Sequence, residues 1–240
     1  MFKVCSTAIL TFLIGMSAKA APIKTAIGEN MSPPWYFADK KNEDGIIPDY
    51  LHAIEKKLNQ KIEILILPKF RIREYYEKDL IDFNCYTTPT WAGTSSEKFQ
   101  WSHALFVVNN MIVSNTGPVK SLKAIEGARV GTVLRYNYPT VQSKFDSKEL
   151  IRDDATNEEA NLLKLESDRY QYALVDNHHL AYYLRNHPKS KINRAGFVVE
   201  EIAVRCWVRK GSELKLKDLN KAIDQIKSDG TLDKIFQKYR

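Results

Sequence analysis

Short apolar strings of strand length alternate with amphipathic helical segments along this chain, and this alternation limits the folds open to it. In the first half, strands are predicted at residues 24–27, 62–67 and 81–86, and helices at 48–58 and 71–80. The string at 62–67 is apolar almost throughout, which is typical of a strand covered on both faces. Strands that alternate with helices favour an α/β fold with parallel pairing.

The same alternation restarts in the second half of the chain. Two long extended segments, at residues 105–113 and 197–208, flank this second unit, and residues 87–100 are expected to form a polar loop. Two α/β units joined by two extended strands predict two lobes. The elements predicted in the second unit are strands at 128–133, 150–151 and 172–175 and helices at 122–125, 139–145, 157–165 and 179–185.

The final stretch, residues 219–240, predicts two short amphipathic helices. Each has apolar residues spaced i, i+3, i+4, i+7, so one face of each helix should be buried. Gly230 suits the left-handed cap that ends the first helix, and Thr231 is expected to cap the second. The apolar residues of the two faces are Leu219, Ala222, Ile223 and Ile226, and Leu232, Ile235, Phe236 and Tyr239.

Three stretches of the chain resemble motifs of one protein family. The string at 220–239, from Asn220 to Tyr239, closely resembles the C-terminal signature of the extracellular solute-binding proteins of the polar amino acid class (family 3). Residues 111–135 and 173–176 match two further motifs of this family, whose members are two-lobed receptors that feed bacterial ABC importers. The resemblance implies a two-lobed type II periplasmic binding protein fold, with a ligand cleft between lobes joined by two hinge strands.

The resemblance also implies where the lobes divide. Lobe 1 is expected to comprise residues 21–109 plus 204–240, and lobe 2 residues 110–203. In this fold the returning strand lies beside the third strand of lobe 1, which would make Cys85 and Cys206 neighbours. An oxidising compartment permits a disulfide between them, and two buried free thiols are the alternative.

Residues 1–20 have the pattern of a cleaved secretory signal peptide. A positive start precedes an apolar run at 8–16, and Ala18 and Ala20 stand before the expected cleavage point. The run is shorter than the stretch of about 20 residues that a membrane span needs, although a membrane anchor is the alternative. Because an unanchored receptor would diffuse away from a cell with a single membrane, we expect a periplasmic protein.

Composition and charge favour a globular protein without a nucleic-acid partner. Of the 240 residues, 44% are hydrophobic and 27% charged, and the net charge of +7 falls to +5 when Lys3 and Lys19 are removed. The basic residues are scattered, which is typical of a solvated surface. Adjacent side chains in a helix diverge by about 100°, so His178 and His179 do not suggest a metal site. We expect a monomer with no metal, cofactor or catalytic residue.

Ligands of open α/β sheets bind outside the carboxyl ends of the strands, so the residues after each predicted strand are candidates for a ligand site. In a two-lobed receptor these ends face each other across the cleft. Arg135 also precedes a helix whose first amides attract anions, although an exposed loop is the alternative there. The candidates are Asn30, Arg71, Tyr86, Thr87, Thr88, Arg135, Tyr136, Tyr138 and Asp176.

The resemblance implies roles for several positions. In relatives the carboxylate at the position of Asp176 holds the α-ammonium group of the ligand, and a helix N-cap is a second role that can coexist with it. Trp35 and Tyr36 correspond to the aromatic residue that packs on the ligand, with core packing as the alternative. Trp91 is expected to help close the cleft.

One departure from the family concerns the group that grips the ligand carboxylate. Amino acid receptors carry an Arg shortly before an aromatic-Ser pair, which here is Trp101-Ser102. The matching residues 94–98 contain no Arg. Either Arg135 or Arg71 takes its place, or the ligand is not a standard α-amino acid.

We therefore expect a periplasmic substrate-binding protein that captures a small polar solute, an amino acid or a related compound, by hinge closure. Its expected partners are that ligand and a membrane ABC permease. One alternative is a periplasmic sensor subunit for a membrane signalling protein. A second is a cyclohexadienyl-dehydratase-like enzyme on the same fold, which would need an acid or base in the cleft, with Glu29 and Asp176 as candidates.

Overall fold

The computed structural model of the protein describes residues 21–38, 44–92 and 98–240. The expected signal peptide at 1–20 and most of the segment that lacks an Arg, residues 94–97, lie outside the described residues. Strands and helices alternate through the described parts of the chain, which confirms the α/β class. No helix within these parts is both long enough and apolar enough to cross a membrane.

The first unit has the predicted order of strands and helices. Its elements are β1 (Ile23–Gly28), α1 (Ile46–Leu58), β2 (Ile62–Leu67), α2 (Lys69–Glu77), β3 (Phe83–Thr87), α3 (Pro89–Ala92) and β4 (Phe99–Trp101). β1 and β2 pair in parallel, with Ile23 opposite Ile62. β3 lies along β1, because the N–H of Asp82 donates to the carbonyl of Lys24 at 2.8 Å. The polar loop expected at 87–100 is therefore wrong in part, since it contains α3 and β4.

The second unit again alternates strands with helices. Its elements are β5 (Phe106–Ser114), β6 (Arg129–Val133), α4 (Pro139–Asp146), β7 (Ile151–Ala155), α5 (Glu158–Glu166), β8 (Tyr172–Asp176) and α6 (Asn177–Asn186), with a 3₁₀ turn at Lys123–Ile125. β6 lies between β7 and β8 and runs parallel to both. The carboxyl ends of these three strands therefore meet at one edge of the sheet, where ligands of such sheets bind.

β7 is longer than the sequence pattern predicted. The expected strand covered residues 150–151, whereas β7 continues to Ala155 through three charged residues. Because β7 is the outermost strand of the sheet, those side chains reach the surface. Arg129 donates to Asp153 at 3.0 Å, and Arg152 donates to Asp154 at 2.8 Å. A charged edge strand lacks the apolar pattern that identifies a strand in a sequence.

Two long strands carry the chain between the lobes. β9 (Phe197–Arg209) follows the second unit and pairs antiparallel with β5, from Phe106 opposite Val204 to Ile112 opposite Phe197. Beyond this shared stretch β9 pairs with β3 and β4, whereas β5 pairs along its other edge with β8, from Asn110 to Ser114. One mixed sheet, ordered β3-β9-β5-β8-β6-β7, therefore spans both lobes. The lobe boundaries expected at 109/110 and 203/204 fall within these two strands.

The last two helices, α7 (Leu216–Ser228) and α8 (Thr231–Tyr239), pack on lobe 1. All of the apolar residues predicted on their inner faces are buried, in one cluster with residues of α1 such as Tyr50 and Ile54. Lobe 2 has its own buried clusters on the two faces of its sheet, around Leu162 and around Val141.

The junction of these two helices departs from the prediction at one residue. Gly230 has φ 75°, which is the left-handed conformation expected of it. Gly230 is also the residue that precedes α8, so Thr231 is the first helical residue and does not cap the helix. Asp229 takes over that function, since its Oδ1 accepts a hydrogen bond from the N–H of Thr231 at 2.9 Å. The expected cap at Thr231 is wrong.

Cys85 on β3 and Cys206 on β9 form a disulfide. The two strands are adjacent and antiparallel, as the resemblance implied, with Asn84 opposite Trp207. The sequence separation of 121 residues makes this cross-link a long-range one, between the first segment of lobe 1 and the strand that returns to it. A cross-link over so long a loop restricts the unfolded chain strongly.

Replacing both cysteines, as Cys85→Ala/Cys206→Ala, should lower the free energy of unfolding by about 2–5 kcal/mol. Urea unfolding monitored by circular dichroism measures this loss. As a control, dithiothreitol should lower the midpoint of the native protein to that of the double variant and leave the double variant unchanged. Equal stability of the two proteins would contradict a stabilising disulfide.

Candidate functional site

A cavity of about 540 Å³ lies between the two lobes, at the carboxyl ends of their strands. Lobe 1 contributes residues that follow β1, β2 and β3, and lobe 2 contributes residues that follow β6 together with the ends of β7 and β8. The wall is apolar over most of its area, with a few charged side chains, which is the usual character of a small-molecule site. The sequence-predicted residues in this wall are Asn30, Tyr86, Thr87, Trp91, Arg135, Tyr136, Tyr138 and Asp176.

Four other predicted residues lie outside the cavity wall. Trp35, Tyr36 and Thr88 are buried, and Arg71 is exposed. Trp35 packs with Tyr86 and Phe106, at ring-centroid distances of 4.4 and 5.7 Å, so core packing explains its burial. Residues spaced three and four apart lie on one face of a helix, and α2 directs one such face toward the cavity. Arg71 is not on that face. That face holds Lys69, Ile72, Arg73 and Tyr76.

Asp176 is the last residue of β8 and has three hydrogen-bond donors. Its Oδ1 accepts from the backbone N–H groups of His178 and His179, at 2.8 and 2.9 Å, and so caps α6. Its Oδ2 accepts from the indole N–H of Trp35 at 2.8 Å. The Asp176 side chain is only 3% exposed, yet it also faces the cavity. The predicted helix cap and the predicted position in the cleft are thus both present.

The bond from Trp35 to Asp176 belongs to a direct contact between the lobes. Ser32 Oγ accepts from the N–H of Glu159 at 3.2 Å, and His179 Nδ1 donates to the carbonyl of Pro33. Ser32, Pro33 and Trp35 belong to the loop after β1, whereas their partners begin the two helices α5 and α6. The loop of lobe 1 therefore covers the helix starts of lobe 2, and the cleft is closed along this side.

Glu158 is a functional candidate that the sequence did not predict. It is the first residue of α5, is 8% exposed and lines the cavity beside Asp176. Burial raises the pKa of the Glu158 carboxyl well above its usual value, and the charge of Asp176 and a hydrogen bond to it raise the pKa further. The prediction ended β7 at residue 151, so the residues that follow Ala155 were not recognised as a strand end.

Lys69 is a second candidate, on the opposite side of the cavity. It begins α2, and its ammonium group lies 3.9 Å from the ring centroid of Tyr136 and 3.5 Å from the carbonyl oxygen of Arg135. Burial of this group lowers the pKa of Lys69 to about 8, although the neighbouring Glu158 opposes the shift. Residues 68–71 follow the predicted strand at 62–67, and of them Lys69 and Phe70 line the cavity whereas Arg71 does not.

The loop between β6 and α4 forms the lobe 2 wall that faces Lys69. Arg135 adopts φ 65°, and its guanidinium carbon lies 5.7 Å from the ring centroid of Phe70 across the cleft. Tyr138 Oη accepts from the N–H of Val133 at 3.1 Å, which holds the loop against the sheet. Burial raises the pKa values of Tyr136 and Tyr138 well above the usual value, so both phenols are neutral at physiological pH.

The cavity thus presents carboxyl groups on lobe 2, the Lys69 ammonium group on lobe 1 and aromatic rings between them. This arrangement is complementary to a small molecule that carries both signs of charge. Within residues 21–38, 44–92 and 98–240, no three His, Cys, Asp or Glu side chains converge in a way that could hold a metal ion.

Replacing Trp35 with Phe should destabilise the protein by about 1–3 kcal/mol, because a buried carboxylate oxygen of Asp176 would lose its donor. The loss is measured by thermal unfolding. Trp101→Phe removes the same atoms from a ring that does not line the cavity or contact Asp176, and serves as the matched control. Equal melting temperatures for the two variants would contradict a stabilising bond between the lobes.

Comparison with known proteins identifies the architecture. The family model of bacterial extracellular solute-binding proteins, family 3, matches residues 23–240. The ligand-binding core of GluR0 in complex with L-glutamate is 16% identical, with a TM-score of 0.77 over 92% of this chain and 98% of that one. An ancestral arginine-binding protein bound to arginine is 24% identical, with a TM-score of 0.74 over 92% and 99%. AncCDT-1, an ancestral amino acid-binding protein and a precursor of cyclohexadienyl dehydratase, is 21% identical, with a TM-score of 0.71 over 91% and 94%.

A search of curated proteins found no significant match. The solved structures share the two-lobed type II periplasmic binding protein fold, which confirms the expected fold class. The family model covers nearly all of the described chain, so the family assignment does not depend on one short motif. This chain belongs to the bacterial extracellular solute-binding proteins of family 3.

Proposed function

We propose that this protein captures a small polar solute, an amino acid or a related compound, in the cleft and presents it to a membrane ABC permease. The observation that carries the proposal is the cavity between the lobes, with Glu158 and Asp176 on one side and Lys69 on the other. The structural similarity to proteins bound to arginine and to glutamate supports an amino acid as the solute.

In this proposal Asp176 receives the ammonium group of the ligand, and Lys69 receives its carboxylate. Lys69 would then replace the Arg that the sequence lacks, a role expected instead for Arg135 or Arg71. Arg71 lies outside the wall and the guanidinium of Arg135 lies near Phe70, whereas Lys69 lines the cavity and burial lowers its pKa, so we assign the ligand carboxylate to Lys69. Tyr86, Trp91 and Tyr136 surround the remainder of the ligand. Trp35 contributes indirectly, by holding Asp176 in position.

Capture proceeds by closure of the lobes about the two crossing strands. A ligand held by Asp176 on lobe 2 and by Lys69 on lobe 1 has its full set of contacts only when the cleft is closed, so it stabilises that state. The proposed hinge lies where β5 and β9 pass between the lobes, at the boundaries 109/110 and 203/204. A monomeric, periplasmic protein with a cleaved signal peptide at 1–20 is part of the same proposal.

One observation also favours a second candidate function. The raised pKa of Glu158 favours its protonated form, and its carboxyl group lines the cavity; a general acid needs both properties. AncCDT-1, a precursor of a dehydratase, has the same fold. An enzyme of this kind would consume its ligand, whereas a receptor returns it unchanged. The sensor alternative shares the capture step and differs in the membrane partner.

The proposed function is tested with the twenty standard L-amino acids. A ligand that binds the closed state should raise the melting temperature by mass action, and should lower the radius of gyration measured by small-angle X-ray scattering. Mass spectrometry after overnight incubation should recover the ligand unchanged. An identical radius of gyration at saturation would overturn hinge closure, and a new product would favour the enzyme.

The variant Lys69→Met should bind its amino acid about tenfold more weakly or worse, because the ligand carboxylate loses a charged partner. Lys69 carries its charge below about pH 8 and loses it above, so native affinity should fall as the pH rises through that value. Lys69→Arg should bind equally well at about pH 7 and about pH 8.5, since a guanidinium stays protonated and the ammonium group of the ligand is still charged there. Isothermal titration calorimetry measures each affinity.

Lys123→Met removes the same charge from an exposed position on lobe 2 and is the control. Its affinity should equal that of the native protein at every pH. Native affinity in Lys69→Met would exclude Lys69 as the carboxylate partner and return that role to Arg135.

A further inference from the structure

Two buried carboxyl groups lie in contact in the cavity wall. Glu158 begins α5 and Asp176 ends β8, and their side chains are 8% and 3% exposed. Both residues line the same cavity, and the charge of Asp176 and a hydrogen bond between the two side chains raise the pKa of Glu158. Two carboxyl groups in hydrogen-bond contact cannot both be charged when buried, so the pair holds one proton between them.

The donors around Asp176 decide which of the two carries the proton. Asp176 accepts three N–H bonds, from His178, His179 and the indole of Trp35, and each stabilises its charged form. Glu158 is therefore the protonated member, and its O–H donates to the Asp176 carboxylate. The burial that raises the pKa of Glu158 acts in the same direction.

Five titratable groups around the pair keep one protonation state near pH 6.5, whereas the ring of His179 bonds the carbonyl of Pro33 and lies 3.7 Å from Glu159 instead. The tyrosines are neutral, because burial raises their pKa values. Burial lowers the pKa of His178 below its usual value, so its ring is largely neutral, and Lys69, with a pKa of about 8, is charged. The facing groups are Lys69 on α2, Tyr86 on β3, Tyr136 and Tyr138 after β6, and His178 on α6.

We propose that the Glu158–Asp176 pair is a proton-linked site for a cationic group, in which the ammonium group of the solute replaces the shared proton. The ammonium N–H groups then donate to both carboxylates, and the proton of Glu158 passes to solvent. Each capture event therefore releases one proton. This inference rests on the proposed function, since it specifies how the same cavity recognises the positive end of its solute.

The direction of the pH dependence follows from the two states of Glu158. In the empty site its pKa is raised, and a bound cation lowers it, so binding expels the proton. Affinity should then rise with pH, by up to about tenfold per unit, until the pH exceeds the pKa of the empty site. Deprotonation of Lys69 acts oppositely near pH 8, and Glu158→Gln removes the first effect without the second.

The experiment is isothermal titration calorimetry at pH 6.5 in phosphate and in imidazole buffer, whose ionisation enthalpies differ. The probes are the twenty standard L-amino acids and, for the tightest binder, its decarboxylated amine and its desamino acid. The amino acid and the amine should each release close to one proton. The desamino acid lacks the cation and should release none.

Glu158→Gln tests the origin of the proton. A Gln amide donates to Asp176 as protonated Glu158 does, and it cannot ionise, so proton release should fall to near zero and affinity at pH 6.5 should fall with it. Glu126→Gln, the same change at an exposed position of lobe 2, should release as many protons as the native protein.

Two results would overturn the inference while leaving the proposed function intact. One is amino acid binding without proton release, and the other is undiminished release in Glu158→Gln. A panel in which no amino acid binds would instead overturn the proposed function itself.

Discussion

The antiparallel pairing of β5 with β9 is the interaction on which the cleft depends. The two strands are paired from Phe106 and Val204 to Ile112 and Phe197, and each continues into the strands of a different lobe. The orientation of this strand pair therefore sets how the strand ends of one lobe face those of the other. Each lobe buries its own core on its side of these two strands.

The crossing strands also position the central carboxylate of the site. Asp176 on β8 lies opposite Asn110 on β5, at the point where β5 enters lobe 2. From there its two oxygens cap α6, bind Trp35 of lobe 1 and contact Glu158. Burial strengthens each of these bonds because water does not compete for the carboxylate. A single side chain thus connects helix formation, lobe closure and the charge of the cavity.

Several features of the fold were predictable because they depend on local spacing. The inner faces of α7 and α8 follow from apolar residues three and four apart, and Asp176 is recognisable both as a strand end and as a helix start. The pairing of Cys85 with Cys206 was implied by the family resemblance and not by periodicity. The predicted strand ended at residue 151 because the charged residues that follow it in β7 face solvent at the sheet edge. The true end of the strand was therefore not recognised, and neither was Glu158 beyond it.

The sequence by itself determined the α/β class, the two repeated units, the two long connecting strands and the family, because these depend on the order and spacing of residues along neighbouring segments. Only the tertiary structure decided which side chains share the cavity. Lys69 and Glu158 begin helices far apart in the chain, and the docking of those helices places both residues in the cavity wall and leaves Arg71 outside it. Burial shifts the pKa values of both residues. Burial results from packing between distant segments, so neighbouring residues in the sequence do not reveal it.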